Sequence, residues 1–354
     1  MVVKVSKPEI NVREKISELD KPSGTAGQAM LAAETPQEQF SLISAGRRNL
    51  LINGAFEVFQ RGAGPASPSS GNSPSTADKW NIPATNEVSE VVANDRASHL
   101  TKMLKVTANS SGYGQVTQWI ENVRTAAGQS LTVSFWVKSP NAGAMRFHIY
   151  QYFGSGGSTS VSIIDDSNYF TINQADTWQR FEATVEIPSV SGKTIGTSSF
   201  LAVQTGAPSA IANRVVYYSE FQAELGKVAT PFEHRSYGEE LALCQRYYQK
   251  FFDESSATAQ LQIIGINGGL AHFVWWPPVQ MRARPSVGIT TSSPYWESYP
   301  WNQIGTSLTI TSVSNGHMGR SGGEIAIYGS FNPSLTRGTN YTITGEVFYW
   351  DAEL

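Results

Sequence analysis

The sequence predicts an all-β protein built around a jelly-roll β-sandwich. Several runs of residues alternate apolar and polar side chains with a period of two, as strands with one buried face do. Glycine is plentiful, with 31 residues in 354, and Gly or Asn-Gly separates many of these runs, which is typical of short strands joined by tight turns. Hydrophobic residues make up 40% of the chain and charged residues only 16%, which indicates a packed protein for most of its length.

The clearest alternation lies in residues 49–230. In LTVSFWVKS, one face carries Leu131, Val133, Phe135 and Val137. The run WQRFEATVEIP repeats the pattern, and its predicted inward residues are Phe181, Ala183, Val185 and Ile187. RVVYYSEFQAELG repeats it again. Antiparallel sheets with one wet face stack in pairs, so residues 49–230 are predicted to form a jelly-roll β-sandwich.

A short helix is predicted in the linking segment, residues 231–256. Pro231 cannot donate to a strand ladder, and Ser236 followed by Glu239 fits a capping box at a helix start. One apolar stripe at helical spacing contains Leu241, Cys244, Tyr248 and Phe251. This spacing predicts a helix of about four turns. The stripe must pack on a surface, which a neighbouring β domain or a symmetry mate would supply.

The two ends of the chain differ in composition. Short alternating runs return after the helix, and residues 257–354 are predicted to form a second, smaller all-β domain. Residues 1–46 contain few large apolar side chains, and two short helical pieces are predicted, around Val12–Leu19 and Gln28–Ala33. Neither piece could bury a core alone. This segment is either a flexible leader or a docking segment that orders on a partner.

Charge and cysteine content exclude several classes of protein. The net charge is −3, from 26 basic and 29 acidic residues, which gives no electrostatic reason to expect nucleic-acid or anionic-membrane partners. With Cys244 alone, no intrachain disulfide and no Cys-rich zinc site can form. No apolar stretch is long enough for a signal peptide or a membrane span. We expect a soluble chain made in a cytoplasm and not exported by a standard route.

No catalytic, cofactor or metal site emerges from the motifs. The five histidines are scattered, and no nucleophile elbow, phosphate-binding loop or dinucleotide fingerprint is present. Asp165 and Asp166 are adjacent, so on a strand they would face opposite sides and could not act as an acid–base pair. We therefore expect a protein that is not an enzyme and binds no cofactor, with a glycan-degrading enzyme as the alternative.

Aromatic residues cluster in the second domain. Two tryptophans precede Pro277, and the run SPYWESYPW adds four aromatic residues in a Pro-bounded segment that is typical of a loop. The candidate glycan-contacting residues are Trp275, Trp276, Tyr295, Trp296, Tyr299 and Trp301. Exposed aromatic rings stack on sugar rings and give large contact areas at low entropic cost. Equally, these rings could pack the domain or a subunit interface.

Several short sequence segments, in the order in which they occur here, resemble those of a known family. NLLINGAFEVFQRG, a Ser/Pro-rich loop into TADKW, SFWVKS, DTWQRFEATVEIP and FQAELGKVATPFEHRSYGEELALCQRYYQK follow one another here. PPVQMRARPSV and the terminal FYWDAEL come later. Together they resemble a recurrent module of bacteriophage tail-fibre and virion structural proteins. The match covers residues 49–354 and leaves residues 1–46 uncovered.

The resemblance implies a fold and a set of partners. It implies a jelly roll similar to carbohydrate-binding modules, followed by a β-rich tip that meets a host-surface glycan, on a homotrimeric fibre. The apolar stripe of the linking helix would then meet its copies near the threefold axis. Residues 1–46 would dock on phage tail proteins, an adaptor or a nozzle, and the protein would be located in the virion. The alternative is a purely structural virion component such as a baseplate, collar or capsid-decorating protein.

The resemblance also bears on calcium. Some related carbohydrate-binding modules hold a structural calcium ion with the acid of a Gly-x-Phe-Glu start and an Asp in the last strand. Glu57 matches the first position, but Ser219 stands at the second. No metal site is therefore predicted.

Overall fold

The structure, a computed structural model, is all-β apart from one short helix. The residues it describes are 48–68, 72–83, 87–96, 100–109, 112–164, 169–207, 213–251, 258–267, 270–289, 295–298, 307–314, 319–332, 340–344 and 348–353. Within them lie 21 strands, so the predicted fold class is confirmed. The proposed docking segment, residues 1–46, lies outside the described residues. Among the described residues, no helix is long and apolar enough to span a membrane.

Twelve strands make up the sandwich. They are β1 (Asn72–Pro74), β2 (Asn81–Pro83), β3 (Glu87–Ala93), β4 (Lys102–Ala108), β5 (Val116–Ile120), β6 (Ser130–Lys138), β7 (Gly143–Tyr152), β8 (Val161–Ile164), β9 (Tyr169–Ile172), β10 (Gln179–Glu186), β11 (Phe200–Gly206) and β12 (Val215–Leu225). One sheet has seven strands in the order β1-β2-β5-β11-β7-β8, with β9 also pairing β7. The other has five, in the order β10-β6-β12-β4-β3. Every pairing is antiparallel, and the sequence order jumps between the sheets as jelly-roll connections require.

The core lies between these two sheets, where the period-two pattern placed it. The predicted inward residues of β6 are all at most 1% exposed. Those of β10 point the same way, because its burial alternates along the strand and Ile187 behind it is buried. The ring of Phe135 stacks on that of Phe221, with centroids 4.2 Å apart. Burial of this apolar area is the main stabilising contribution to the sandwich.

The linking helix, α1 (Tyr237–Gln245), begins as predicted and ends earlier than predicted. Ser236 is its N-cap, and the reciprocal bonds with Glu239 form the expected capping box. The prediction that the helix continues through Tyr248 and Phe251 is wrong, because Tyr248–Phe251 is a strand, β13. β13 pairs with Phe348–Asp351, almost a hundred residues further along the chain. Pairing with that distant strand overrides the helical spacing of the apolar residues.

Nine strands follow α1 along the chain. They are β13 (Tyr248–Phe251), β14 (Thr258–Asn267), β15 (Leu270–Trp275), β16 (Ser286–Ile289), β17 (Tyr295–Ser298), β18 (Ser307–Ser314), β19 (Gly323–Asn332), β20 (Asn340–Thr344) and β21 (Phe348–Asp351). Three of them form a small sheet, β13-β21-β16, and six form another, β17-β20-β14-β15-β19-β18. The prediction that SPYWESYPW is a loop is wrong at its centre, since β17 pairs with β20 there. Pairing with a distant strand gives this segment a regular structure that its local sequence did not predict.

Two buried asparagines fix the chain where the sandwich begins. The Asn49 side chain donates to Phe221 O and accepts from the backbone N–H of Leu51 and Ala223, at 3.0 Å each. Next to it, Gly54 runs so close to β12 that an added Cβ would lie 2.1 Å from Phe221 O. Asn49 therefore supplies a bulged strand edge with hydrogen-bond partners that regular ladder bonds do not provide.

Asn53 supplies hydrogen-bond partners to backbone groups of the loop that follows. Its Nδ2 donates to Val58 O at 2.6 Å and to Asp78 O at 3.0 Å, while Oδ1 accepts from Val58 N at 3.0 Å. The Asn53 carbonyl accepts from the indole of Trp80. Its φ of 58° is a left-handed conformation that Asn tolerates better than most residues. This side chain thus ties together three segments of the sandwich.

The segment at the start of the sandwich and the segment that leaves it are joined by charged side chains. Glu233 accepts from the backbone N–H of Arg48 at 3.0 Å and of Asn49 at 2.7 Å. Arg235 donates to the carbonyls of Leu51 and Asn49, and it pairs with Glu233 and Glu240. The set of Asn49, Asn53, Glu233, Arg235 and Glu240 is called the anchor network below.

The small sheet is held to the sandwich by a buried ion cluster. Arg61 Nη1 lies 3.4 Å from Asp78, and Nη2 lies 3.4 Å from both Asp351 and Glu353. Lys79 Nζ lies 2.9 Å from Glu353. Burial raises the pKa of Asp78 to about 6, although Arg61 offsets part of that rise. Burial acts against ionised Glu353 too, but Lys79 and Arg61 outweigh it and hold its pKa below the usual value.

We expect Asp78→Asn to change how stability depends on pH. Because the pKa of Asp78 is higher in the folded chain, its ionisation lowers the free energy of unfolding as pH rises from about 4 to about 6. Asn does not ionise, so this loss, of order 3 kcal/mol at most, should be absent from the variant. The measurement is urea denaturation across this pH range. Asp176→Asn at an exposed site is the control, and parallel curves for Asp78→Asn and wild type would contradict the prediction.

We expect Asn53→Ala to destabilise the sandwich by roughly 3 kcal/mol, because it leaves buried backbone groups of Val58 and Asp78 without partners. Alanine also tolerates the positive φ poorly. Urea denaturation followed by tryptophan fluorescence measures the change, with Asn173→Ala at an exposed position as the control. A loss below about 1 kcal/mol would show that the loop relaxes without the asparagine.

Candidate functional site

The outer face of the seven-stranded sheet carries a strip of aromatic side chains. Trp119 on β5 and Tyr150 on β7 both lie opposite Ala202 of β11, and Tyr152 lies opposite Phe200 one step along. Their inward neighbours, such as Ile120, Ile149 and Leu201, are in the core. We call Trp119, Tyr150, Tyr152 and Phe200 the aromatic strip.

The strip is a packed group of rings. Phe200 lies at its centre, stacked against Trp119 with centroids 4.7 Å apart and 4.8 Å from the ring of Tyr152. Tyr150 meets Phe200 edge-on at 6.0 Å. Phe200 is 8% exposed, and the other three rings are partly exposed. Partly exposed rings held in place by a buried one form a surface that loses little side-chain entropy on binding.

Polar groups border the strip on the same face. His148 lies two residues before Tyr150, and its Nε2 is 2.8 Å from Ser162 Oγ on β8. Gln204 lies opposite His148 and Thr117. Arg146, further along β7, donates to Gln115 at 2.8 Å. An apolar platform with hydrogen-bonding groups at its border matches what a sugar presents, namely C–H faces and hydroxyl edges.

The other sheet is a weaker candidate, because the chain's own cations occupy its outer rings. Lys138 Nζ lies 5.0 Å from the ring centroid of Trp178 and 4.9 Å from that of Tyr217. The Arg96 guanidinium lies 4.6 Å from the ring of Trp136. Of the cation–ring contacts among the described residues, none involves the aromatic strip. Among the described residues, the strip is therefore a surface of partly exposed rings that the chain's own cations leave uncovered.

The strip ends at a cavity of about 480 Å³ between the sandwich and α1. We call it the junction cavity. Trp119 belongs to both features, and the wall opposite it comes from Leu243, Arg246 and Tyr247. Glu121, just beyond β5, accepts a hydrogen bond from Arg246 Nη2 at 3.2 Å and another from the Tyr247 hydroxyl at 3.0 Å.

Of the six aromatic residues predicted from sequence, Trp276 is the one whose side chain lies in the described part of the chain. Trp276 follows β15 and is 70% exposed, whereas Trp275 is the last residue of that strand, opposite Gly323. Tyr295 and Trp296 are neighbours on β17. Tyr299 and Trp301 lie outside the described residues.

The predicted trimer stripe is largely covered within a single chain. Cys244 is fully buried, and together with Tyr247 it packs on Ile52 and Val58 of the sandwich. Leu241 packs against the same cluster, and Tyr248 is 5% exposed. The side chain of Phe251 is not among those that the structure describes. The sandwich, one of the two surfaces expected to cover the stripe, therefore packs on Leu241 and Cys244 within the chain.

The calcium position does not fit a cation. Glu57 accepts from the backbone N–H of Thr101 and Lys102 and from the Thr101 hydroxyl, at 2.6–3.2 Å. Ser219 is buried and accepts from Asn94 at 3.1 Å. Hydrogen-bond donors around the carboxylate stand where calcium would need oxygen ligands. In the described ranges, no group of three or more His, Cys, Asp or Glu side chains could hold a metal ion. Asp165 and Asp166 fall outside those ranges.

Sequence reasoning missed the aromatic strip although a signal was present. In RFHIYQYF, the residues His148, Tyr150 and Tyr152 alternate with the core residues Phe147 and Ile149. Aromatic residues at the solvent-facing positions of a strand expose more apolar surface than is usual for a strand face that contacts only water. The junction cavity had no such signal, because residues about 125 positions apart form it.

No protein-family model matches the chain, and no curated protein resembles it significantly in sequence. Solved structures with some similarity are carbohydrate-binding modules. The CBM22-2 xylan-binding domain of Paenibacillus barcinonensis Xyn10C is 16% identical, covering 42% of this chain and 92% of its own, with a TM-score of 0.32. The C-terminal family 22 module of Clostridium thermocellum Xyn10B is 14% identical over 47% and 100%, with a TM-score of 0.31. TmCBM61, solved with β-1,4-galactotriose, is 15% identical over 51% and 100%, with a TM-score of 0.29. At such identities and TM-scores, the ligand of this chain has to be inferred from its own residues.

Proposed function

We propose that the chain is a non-catalytic bacteriophage tail-fibre protein that binds a glycan on the host surface. The observation that carries glycan binding is the aromatic strip, with three partly exposed rings fixed around Phe200 and polar groups at its border. The order of the sequence words from residue 49 to residue 354 supports the phage origin.

Several parts of this proposal follow from the sequence resemblance. The fibre would be a homotrimer located in the virion tail, made in the host cytoplasm and attached to tail proteins through residues 1–46. Its threefold contact would have to use surfaces other than Cys244 and Tyr248, which the chain covers itself. Three linked copies would raise avidity even if each site binds weakly.

A purely structural virion component is the first alternative. The exposed side chain of Trp276, together with the partly exposed strip, favours a binding role, because exposed aromatic surface is costly to leave in water without a partner. A baseplate or collar protein would cover these rings with another virion protein.

A glycan-degrading enzyme is the second alternative. Among the described residues, Asp78 has a raised pKa and has Glu353 nearby, which is a pattern that catalytic acids share. Asp78 is 1% exposed, however, and Arg61 and Gln60 hold its carboxylate. A substrate cannot reach that carboxylate, so we assign it to the ion cluster and to no reaction.

We expect the full-length wild-type chain to bind one class of oligosaccharide on an array of defined glycans. Tyr150→Ala and Tyr152→Ala should each weaken binding about tenfold or more, since each removes a ring from the platform. Trp178→Ala on the opposite sheet is the matched control and should bind like wild type. Trp276→Ala tests the distal candidate in the same assay. If only Trp276→Ala loses binding, the site is at the tip and the strip is not the glycan surface.

The phage assignment has its own test. Antibodies against the chain should label the tail of the encoding phage in electron micrographs, and the purified chain should compete with that phage for adsorption to its host. Labelling of the tail without competition would favour the structural virion role. Labelling of the capsid or of neither would rule out a tail fibre.

A further inference from the structure

The junction cavity contains a set of side chains suited to one sugar ring. Its lining includes Trp119, Glu121, Thr125, Leu243, Arg246 and Tyr247, and its volume is about 480 Å³. This volume lies in the lower part of the range of roughly 300–1,000 Å³ that is usual for small-ligand sites. A single pyranose with its ordered waters would occupy it, whereas a folded peptide segment would not.

Glu121 and Arg246 are paired but not saturated. Both hydrogen bonds that the Glu121 carboxylate accepts, from Arg246 Nη2 and from the Tyr247 hydroxyl, go to Oε2. This leaves Glu121 Oε1 as an acceptor and Arg246 Nη1 as a donor in two side chains that line the cavity. The two side chains are 30% and 37% exposed, so a ligand can reach them.

Such a pair recognises two adjacent hydroxyl groups. One hydroxyl can donate to Glu121 Oε1 while its neighbour accepts from Arg246, and bonds to charged groups are stronger than those between neutral groups. Burial raises the pKa of Tyr247, with a further rise from the negative charge of Glu121, so its hydroxyl stays protonated and keeps Glu121 oriented.

The charge of the cavity selects against ionised sugars. Arg246 and Glu121 cancel, which offers an acidic sugar no net attraction, and Glu121 would repel a sugar carboxylate placed beside it. A neutral ring pays no such cost. Its C–H face can meet the apolar wall of Trp119 and Leu243.

Trp119 connects the cavity to the strip. Its ring stacks on Phe200 on the strip side and also lines the cavity. The lining also includes Leu243 of α1 and the two residues that follow the helix, Arg246 and Tyr247, so a chain of sugars that continued from the strip would meet the helix there.

From this geometry we infer that the junction cavity binds the terminal ring of the glycan, a neutral pyranose with two adjacent free hydroxyls, while the aromatic strip binds the rings behind it. This inference rests on the proposed glycan-binding function and assigns the end of the site. The protein would therefore recognise the ends of glycan chains.

The test uses the full-length chain and an array of neutral and uronic-acid oligosaccharides. The tightest-binding oligosaccharide is then titrated against the wild type and against Glu121→Gln, Leu243→Trp and Glu182→Gln. Leu243→Trp fills the cavity from α1, and Glu121→Gln keeps the shape but removes the charge. Glu182, exposed on the other sheet, is the matched control. Saturation-transfer NMR reports which ring is closest to the protein, and thermal melting confirms that each variant is folded.

We expect a neutral oligosaccharide to bind best, with the strongest saturation on a terminal ring. Glu121→Gln and Leu243→Trp should weaken binding at least tenfold and reduce the saturation of that ring, while Glu182→Gln binds like wild type. If Leu243→Trp does not fold, Glu121→Gln decides the outcome.

Two results would overturn the inference while leaving the proposed function intact. One is unchanged binding in Glu121→Gln when Tyr152→Ala loses it, which would confine the site to the strip. The other is a preference for a terminal uronic acid, which would contradict the neutral ring. If wild type binds no oligosaccharide on the array, both the inference and the glycan-binding function fail.

Discussion

The anchor network is the constraint on which most of the remaining structure depends. It joins the start of the sandwich to the segment that leaves it, because Glu233 and Arg235 bond the backbone around Asn49 and Glu240 accepts from Asn53 N at 2.6 Å. These groups are buried or nearly so, and a buried backbone group without a partner costs free energy. Closing the sandwich therefore also fixes where α1 starts.

The position of α1 in turn builds the candidate site. Once the capping box and Glu240 hold its first turn, Cys244 packs into the sandwich and Arg246 is directed towards Glu121. The backbone beyond α1 continues into the small sheet, where Tyr247 O accepts from Ala352 N at 2.7 Å. One wall of the junction cavity thus depends on the sandwich, the helix and the C-terminal strand at once.

The glycan hypothesis gains from this arrangement because rigidity lowers the entropic cost of binding. The aromatic strip lies on a sheet whose other face is the core, and Phe200 at its centre contacts the other three rings. The junction cavity is lined in part by groups that already bond one another. Trp276, by contrast, stands exposed at the end of a strand, and its role depends on what it meets outside the chain.

The sequence by itself determined the fold class, the inward residues of β6 and β10 and the cap of α1, because period-two alternation and capping are local properties of the chain. It did not determine where α1 ends, since Tyr248–Phe251 becomes a strand only by pairing with Phe348–Asp351. Tertiary structure alone brought Glu121 to Arg246 and placed Trp119 between the strip and the cavity. Those contacts join residues far apart in sequence, and no local pattern encodes which distant side chain a residue will meet.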